Sequence, residues 1–410
     1  MKIYPRGFSR EHAGRSNIWP STDEVKRVLD LGIRFDRTGD YIKTIQKYDM
    51  RVMVEKGTVP EKIRTVENEV SQLKPDSVTT PKDLKIFVDS GAPSLYNKHM
   101  RSHKGGAHTY MGSFLGDRKN DDYSYLKSDH YIKYRRQYVL FIKKYLPYIE
   151  VYANLDVINN AEETWYNQQY MESKGLKPIP VWHFGNSPEW LKMYLDRGHD
   201  YIAIGGIIPN PENVIYQGLD KIWSEMLTDD MGMPKVKVHG FAVTSAGLLT
   251  RYPWYSVDST SWVKFGKYGI VCVPKTRGGK FDYARNAHNV TVSDRSPQKK
   301  EIEGKHILTY SKAERLYILD YFNKKGYKLG KSEYKVVPGD YTLGENERWI
   351  KGKKGDKSRE IEIVIEKGLA NSYKLRDELN IMYYIDLQNS VPKWPWAFKQ
   401  HKQEKFDLFK

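Results

Sequence analysis

One cysteine, Cys272, stands in a chain of 410 residues. That excludes a disulfide framework and every zinc or iron–sulfur site built from several cysteines. Long apolar runs are missing too. The longest, Tyr201 to Ile208, is broken by Gly205-Gly206 and falls far short of the roughly 20 residues a membrane span needs. The opening MKIYPRGFSR has no apolar stretch of the secretory kind, so a soluble, cytoplasmic chain without a membrane partner is expected. The eleven histidines include no His-x-His pair, the spacing that a metal-dependent barrel hydrolase would favour. His99 and His103 precede Gly105-Gly106 and read as residues facing solvent or a polyanion. Neither GxGxxG nor GxxxxGKS/T follows a strand-like segment, so nucleotide-loop chemistry lacks its signature.

What is present is apolar mass and an uneven charge. Hydrophobic residues make up 39% of the chain, with ten Trp, enough for a sizeable core and too much for wholesale disorder. Lys and Arg outnumber Asp and Glu by 67 to 51, a net charge of +16. Residues 261–410 hold 31 basic against 19 acidic groups, while residues 1–260 are near balance at 36 against 32. A basic region appended to a near-neutral one is the footprint of a polyanion binder, although Lys-rich surfaces also serve solubility alone.

Along the chain, apolar segments alternate with helical ones. Tyr148 to Val157 reads as a strand; Asn160 with Glu163 opens a helix that ends at Gly175. Ile179 to Trp182 is a short strand, and Ser187-Pro188-Glu189 starts a helix with Leu191, Tyr194 and Leu195 on its buried face, ended by Gly198. Tyr201 to Ile204, Val236 to Val243 and Trp254 to Val257 are further strands, and Gly269 to Val273 places Cys272 in a core strand. This rhythm fits βαβ units and a parallel sheet. Polar residues at successive strand ends (Asp89, Asp156, His183, Asp258) favour a (β/α)8 TIM-type barrel, whose active site gathers there. Residues 81–275 are assigned to that catalytic barrel and 276–410 to a basic α+β extension. Residues 1–80 form an N-terminal segment, with Thr22 to Leu31 helical and Asp49 to Val54 a candidate first strand. In the extension, Thr276 to Lys300 reads as a loop. Ser311 to Glu314 is a capping box opening a helix with a Leu316, Leu319 and Phe322 stripe, and Glu347 to Ile350 and Ile361 to Ile365 flank the cationic KGKKGDKSRE tip.

An Asp that closes a buried strand is held rigidly, and its pKa is open to tuning by burial and neighbours; it can equally cap the turn that follows. Asp89 in KIFVDSGA and Asp258 in YSVDST both have this setting. Two acids facing one sugar are what retaining glycosyl chemistry requires, one attacking the anomeric carbon and the other managing the proton.

Asp89-Ser90-Gly91, with Ala92 after it, resembles the DSGG motif of tRNA-guanine transglycosylases. Asp156 in NLDV, Trp182-His183-Phe184-Gly185, Ala203 to Gly206 and Val257-Asp258 then follow in the order that family uses. The resemblance covers about residues 85–275 and is closer to the DNA-acting, DpdA-type branch, which exchanges guanine in DNA for a 7-deazaguanine such as preQ0. It implies Asp258 as the nucleophile at C1′ and Asp89 as the acid/base. Asp156 would read the guanine edge, with Ser90, Gly91, His183, Phe184, Gly205 and Gly206 around the base. It implies no metal and no cofactor, DNA and a 7-deazaguanine base as partners, and a role in protecting DNA from restriction. His183 stands where the tRNA enzymes carry Gln, and the zinc cysteines of those enzymes have no counterpart here. Arg251, Lys351, Lys353 and Lys354 are candidate DNA contacts; the aromatics of Arg251 to Tyr255 suit either stacking on an extruded base or core packing. An RNA-guanine transglycosylase and a non-catalytic nucleic-acid-binding barrel are the alternatives.

Overall fold

The computed structural model describes residues 1–5, 51–55, 85–92, 123–146, 149–208, 210–259, 261–296 and 303–398. The expected helix at Thr22 to Leu31 and the histidines His99 and His103 lie outside them. By its contacts the chain divides into a first unit, Met1–Thr260 with Gln388–Lys410, and a second, Ser261–Leu387. The boundary read from sequence at 275/276 lies inside the second of these.

The first unit carries β1 (Lys2–Pro5), β2 (Arg51–Glu55), β3 (Lys85–Asp89), β4 (Ile149–Tyr152), β5 (Val181–His183), β6 (Tyr201–Gly205), β7 (Lys237–Gly240) and β8 (Ser256–Ser259). Every pairing among them is parallel, in two ladders ordered β2–β3–β4 and β1–β8–β7–β6–β5. An isolated parallel bridge between Ala153 and Ile179 links the end of β4 to the approach of β5, and β1 and β2 lie near each other. Helices fill the intervals from β3 onward: α1 (Asp129–Tyr145), α2 (Ala161–Ser173), α3 (Pro188–Asp196), α4 (Glu212–Ile222) and α5 (Ala246–Arg251). This is the spacing that parallel strands demand, because their ends lie at opposite edges of the sheet and a crossover must return the chain.

Local chemistry sets the helix ends. The Asn160 side chain accepts from the Glu163 amide at 2.9 Å, starting α2 with Glu162 and Glu163 at its positive end. Ser187 caps α3, whose first residue is Pro188. Gly175 and Gly198 then take left-handed φ values of +77° and +78°, which stop α2 and α3. Leu191 and Tyr194 are buried as expected, whereas Leu195 is only partly so.

Phe87, Ala153, Ile179, Val181 and Ala203 make one buried cluster, with Val151, Tyr201 and Phe241 against it. It draws on β3 to β6 and on the residue following β7. A separate aromatic layer joins Trp223, Tyr252, Trp254 and Phe398, with ring centroids 5.4–6.1 Å apart. Tyr252 and Trp254 are fully buried in it, so of the two readings of the Arg251–Tyr255 aromatics these rings take core packing.

The second unit begins with α6 (Ser261–Lys267) and β9 (Ile270–Val273). Within the expected loop 276–300, the described residues 276–296 are not one loop. β10 (Lys275–Arg277) and β11 (Lys280–Asp282) form a hairpin, and β12 (His288–Thr291) pairs antiparallel with β9. Gly278 and Gly279, at φ +57° and +75°, make the two-residue turn whose left-handed geometry matches strand twist. α7 (Lys312–Lys324) has the full Ser311–Glu314 capping box. Its buried stripe is Ile318, Tyr321 and Phe322, while Leu316 is 60% exposed. The i, i+3, i+4 set tracks the 3.6-residue period better than the expected i, i+3, i+6 series. β13 (Lys331–Pro338), β14 (Glu347–Lys351) and β15 (Ser358–Glu366) form an antiparallel sheet with β15 central, followed by α8 (Tyr373–Ser390). The hairpin with its cationic tip is β14–β15. Cys272 is buried on β9 and burial pushes its thiol upward, as suits a core residue. Among the described residues no helix is long and apolar enough to cross a membrane.

Candidate active site

Strand termini place the polar residues. Asp89 is the last residue of β3, His183 the last of β5, Gly205 the last of β6, and Asp258 the third of β8. Asp156 follows β4 by four residues. In a parallel sheet these positions share one edge, so residues far apart in sequence are brought to one side. All three aspartates and His183 are buried, at 3% (Asp89), 7% (Asp156), 0% (Asp258) and 2% (His183) exposure. Buried carboxylates need donors, and the fold provides them.

Asp156 is held on both oxygens. Ser90 Oγ donates to Oδ1 at 2.8 Å, and His183 Nε2 lies 3.0 Å from Oδ2. Ser90 is held in turn: its carbonyl accepts from the Tyr134 hydroxyl at 2.7 Å, and its Oγ accepts from the Ala92 amide. Gly91, at φ +75°, makes the turn after β3 that brings Ser90 to Asp156. His183 Nδ1 has no hydrogen-bond partner among the described residues. In the tautomer with the proton on Nε2, facing the carboxylate, Nδ1 presents a lone pair. Gly205 pairs with His183 in the ladder, and a Cβ on it would sit 2.9 Å from His183 Cδ2. The bare backbone there leaves room for the imidazole. Gly206 continues with φ +72°.

Tyr138, on α1, donates to the Ala153 carbonyl at 2.7 Å. Burial drives its phenol far above the ordinary value, and the negative charges of Asp89 and Asp156 add to the rise. One tyrosine therefore feels both acids.

Asp258 Oδ1 accepts from the Ala242 amide at 2.7 Å, and His239 Nε2 lies 3.4 Å from the same oxygen. Ala242 has φ +59°, a left-handed conformation uncommon for a residue with a Cβ. His239 Nδ1 lies 2.7 Å from Ser256 Oγ. His239, Ser256 and Ala242 were not singled out from sequence. The available signals were a lone imidazole in the apolar Val236–Val243 segment and a serine two residues before Asp258, on the same face by strand alternation.

The remaining expected residues stand apart. Phe184 points its ring at α4, where a Cβ on Gly218 would lie 2.4 Å from Phe184 Cζ; it packs strand on helix and is not joined to the Asp156 cluster. Arg251 is engaged by Asp220 through Nε at 2.8 Å and Nη2, and lies over the rings of Tyr216 and Tyr252. Its charge is balanced within the fold. Lys351, Lys353 and Lys354 are exposed at the β14–β15 turn, with Lys351 paired to Glu360 at 3.0 Å. Among the described residues no group of three or more His, Cys, Asp or Glu is placed to hold a metal ion.

Comparison with family models, with curated proteins and with solved structures finds no match to this chain.

Proposed function

We propose that the first unit is an eight-stranded (β/α) barrel that exchanges guanine in DNA for a 7-deazaguanine of the preQ0 type, through a covalent aspartyl-glycosyl intermediate. The observation that carries the reading is the set of three buried aspartates, Asp89, Asp156 and Asp258, at or just beyond the C-terminal ends of parallel strands. The ring of strands is supported by the Ala153–Ile179 bridge on one side and the nearness of β1 and β2 on the other.

The chemistry balances without a cofactor. An Asp258 oxygen bonds C1′ as the C1′–N9 bond breaks; guanine leaves with the electron pair on N9 and takes a proton from Asp89. The incoming base gives its N9 proton to the Asp89 carboxylate, its N9 bonds C1′, and the Asp258 ester bond breaks. Two inversions at C1′ give net retention. Asp156 reads the base edge: guanine N1–H and N2–H₂ both donate, and a carboxylate with about four acceptor sites still has capacity after Ser90 and His183. A 7-deazaguanine keeps that edge, so one pocket serves the leaving and the arriving base. A duplex base must first leave the stack, at a cost of a few kcal/mol. Lys351, Lys353 and Lys354 of the second unit supply phosphate contacts. The setting is cytoplasmic, and the modified DNA resists restriction.

The test is mass spectrometry of nucleosides from DNA and from RNA incubated with the protein and candidate 7-deazaguanines. Deazaguanine in DNA, lost in Asp258→Ala and Asp89→Ala, is the expected result. Incorporation in RNA alone overturns the choice of polymer. No exchange in either polymer overturns the reaction and favours a binding protein.

A further inference from the structure

We propose that His239 is a positioning residue for Asp258, fixing one carboxylate oxygen through a directed chain of hydrogen-bond donors that begins at Tyr201. The inference rests on the base-exchange reading, in which Asp258 is the attacking carboxylate.

The chain spans three adjacent strands. Tyr201 opens β6, His239 is the third residue of β7, and Ser256 and Asp258 are the first and third of β8. Side chains two apart on a strand share a face, so Ser256 and Asp258 stand one above the other, and His239 is in register with Ser256. The Tyr201 hydroxyl contacts Ser256 Oγ, Ser256 Oγ lies 2.7 Å from His239 Nδ1, and His239 Nε2 lies 3.4 Å from Asp258 Oδ1. His239, Ser256 and Asp258 are all fully buried.

With Asp258 ionised and the imidazole neutral, one arrangement of protons serves every member. An ionised carboxylate accepts and never donates, so the nitrogen facing it carries the proton. The neutral ring then has its lone pair at Nδ1, which takes the Ser256 hydroxyl proton, and the Ser256 oxygen takes that of Tyr201. Each donor points toward Asp258. The ring orientation is fixed by packing, with Phe87 at 4.5 Å and Phe241 at 4.8 Å between centroids. The Ala242 amide meets the same Oδ1 at 2.7 Å from a left-handed backbone. The Ala242 hydrogen bond and the nearby imidazole, both on one oxygen, set the plane of the carboxylate, and with it the line along which Oδ2 approaches C1′. At 3.4 Å the imidazole contact is longer than a formed hydrogen bond, a looseness common before substrate arrives.

Serine, histidine and aspartate in this order also describe a hydrolytic triad. Partners separate the two. Ser256 Oγ is engaged on both sides, by the Tyr201 hydroxyl and by His239 Nδ1, whereas a nucleophilic serine must turn its oxygen to a substrate.

The experiment uses the full chain with His239→Leu, His239→Gln and Ser256→Ala, measuring base exchange in DNA, the KM for DNA and the melting curve. His239→Leu should lower kcat about 100-fold, the scale for losing one preorganised donor, with KM unchanged. His239→Gln, which restores an N–H at similar reach, should recover most of the rate. A leucine variant that keeps its rate, or a folded glutamine variant that recovers nothing, overturns the proposal. Imidazole ¹⁵N shifts of the wild-type chain give a reading independent of activity and of variant folding: an Nε2–H tautomer supports the chain, and an Nδ1–H tautomer overturns it. Labelling of Ser256 by a fluorophosphonate also overturns it. Absence of exchange by the wild type, with the Nε2–H tautomer present, sinks the base-exchange reading and leaves the donor chain standing.

Discussion

The ring of Phe87 on β3 meets that of His239 on β7, their centroids 4.5 Å apart. The ladders and the bridge put β4, β5 and β6 between these strands. In a flat sheet the two residues would be four strand spacings, or about 19 Å, apart. Contact between them requires strong curvature of the sheet, which supports the barrel proposed above.

Phe87→Ala should therefore be costly. The side chain is fully buried in the cluster shared by several strands, and truncating such a ring costs about 3–5 kcal/mol. Urea unfolding measures it; a loss under about 1 kcal/mol would contradict so central a position.

Gly205→Ala separates site geometry from stability. The added methyl would stand 2.9 Å from His183 Cδ2 and 3.3 Å from Nε2, forcing the imidazole away from Asp156. Binding of the free base, followed by calorimetry, should weaken at least tenfold, as expected for about 1.4 kcal/mol, while the melting temperature changes little. Unaltered affinity would show that His183 keeps its place or does not touch the base.

Asp377 predicts an unusual pH dependence. Neither of its carboxyl oxygens has a hydrogen-bond partner among the described residues, and a Cβ on Gly266 would collide with Oδ1. Burial raises its pKa well above the ordinary value, with Arg376 opposing. Because the folded state holds the proton more tightly, this group's effect on stability is least unfavourable below the ordinary carboxyl range. The cost grows as pH rises toward the folded value. Asp377→Asn should flatten that decline and raise the melting temperature at neutral pH. A variant that melts lower at neutral pH than the wild type would contradict it.

Lys353→Glu with Lys354→Glu should reduce the salt dependence of DNA affinity, the slope of log K against log salt falling by about 1 for each phosphate contact removed. Arg251→Gln should act differently. Its guanidinium is bound to Asp220, so the change should lower thermal stability and leave the salt slope intact. Filter binding at several salt concentrations, beside melting curves, distinguishes the two.

Helix boundaries were the most legible part of the sequence, because capping is local. Asn160, Ser187 and Ser311 announce their helices by side-chain chemistry that needs no tertiary partner. Asp89, Asp156, His183 and Asp258 were legible as polar residues ending apolar runs. What could not be read was which of them touch. The Ser90–Asp156–His183 arrangement spans residues 66 and 27 apart in sequence, and His239 acquires its meaning only through the register of β7 against β8. The region 276–300 misled for another reason. β10, β11 and β12 are three or four residues long, too short for alternation to stand out among polar neighbours. Phe184 was a site candidate through the Trp182-His183-Phe184-Gly185 resemblance; its ring packs toward Gly218 on α4, a contact that sequence order does not reveal.

The return of Val391–Phe398 to the first unit has a consequence for how that unit is made. The Phe398 amide donates to the Gly232 carbonyl at 2.8 Å, its ring stacks on Tyr252, and Trp394 packs on Tyr255. These contacts do not exist until residues 391–398 have been synthesised. A fragment ending at residue 260 lacks them, and the buried face of Tyr252 would meet water. The unit that bears the aspartates therefore cannot reach its final packing until the second unit has been synthesised, although its own strands are translated first.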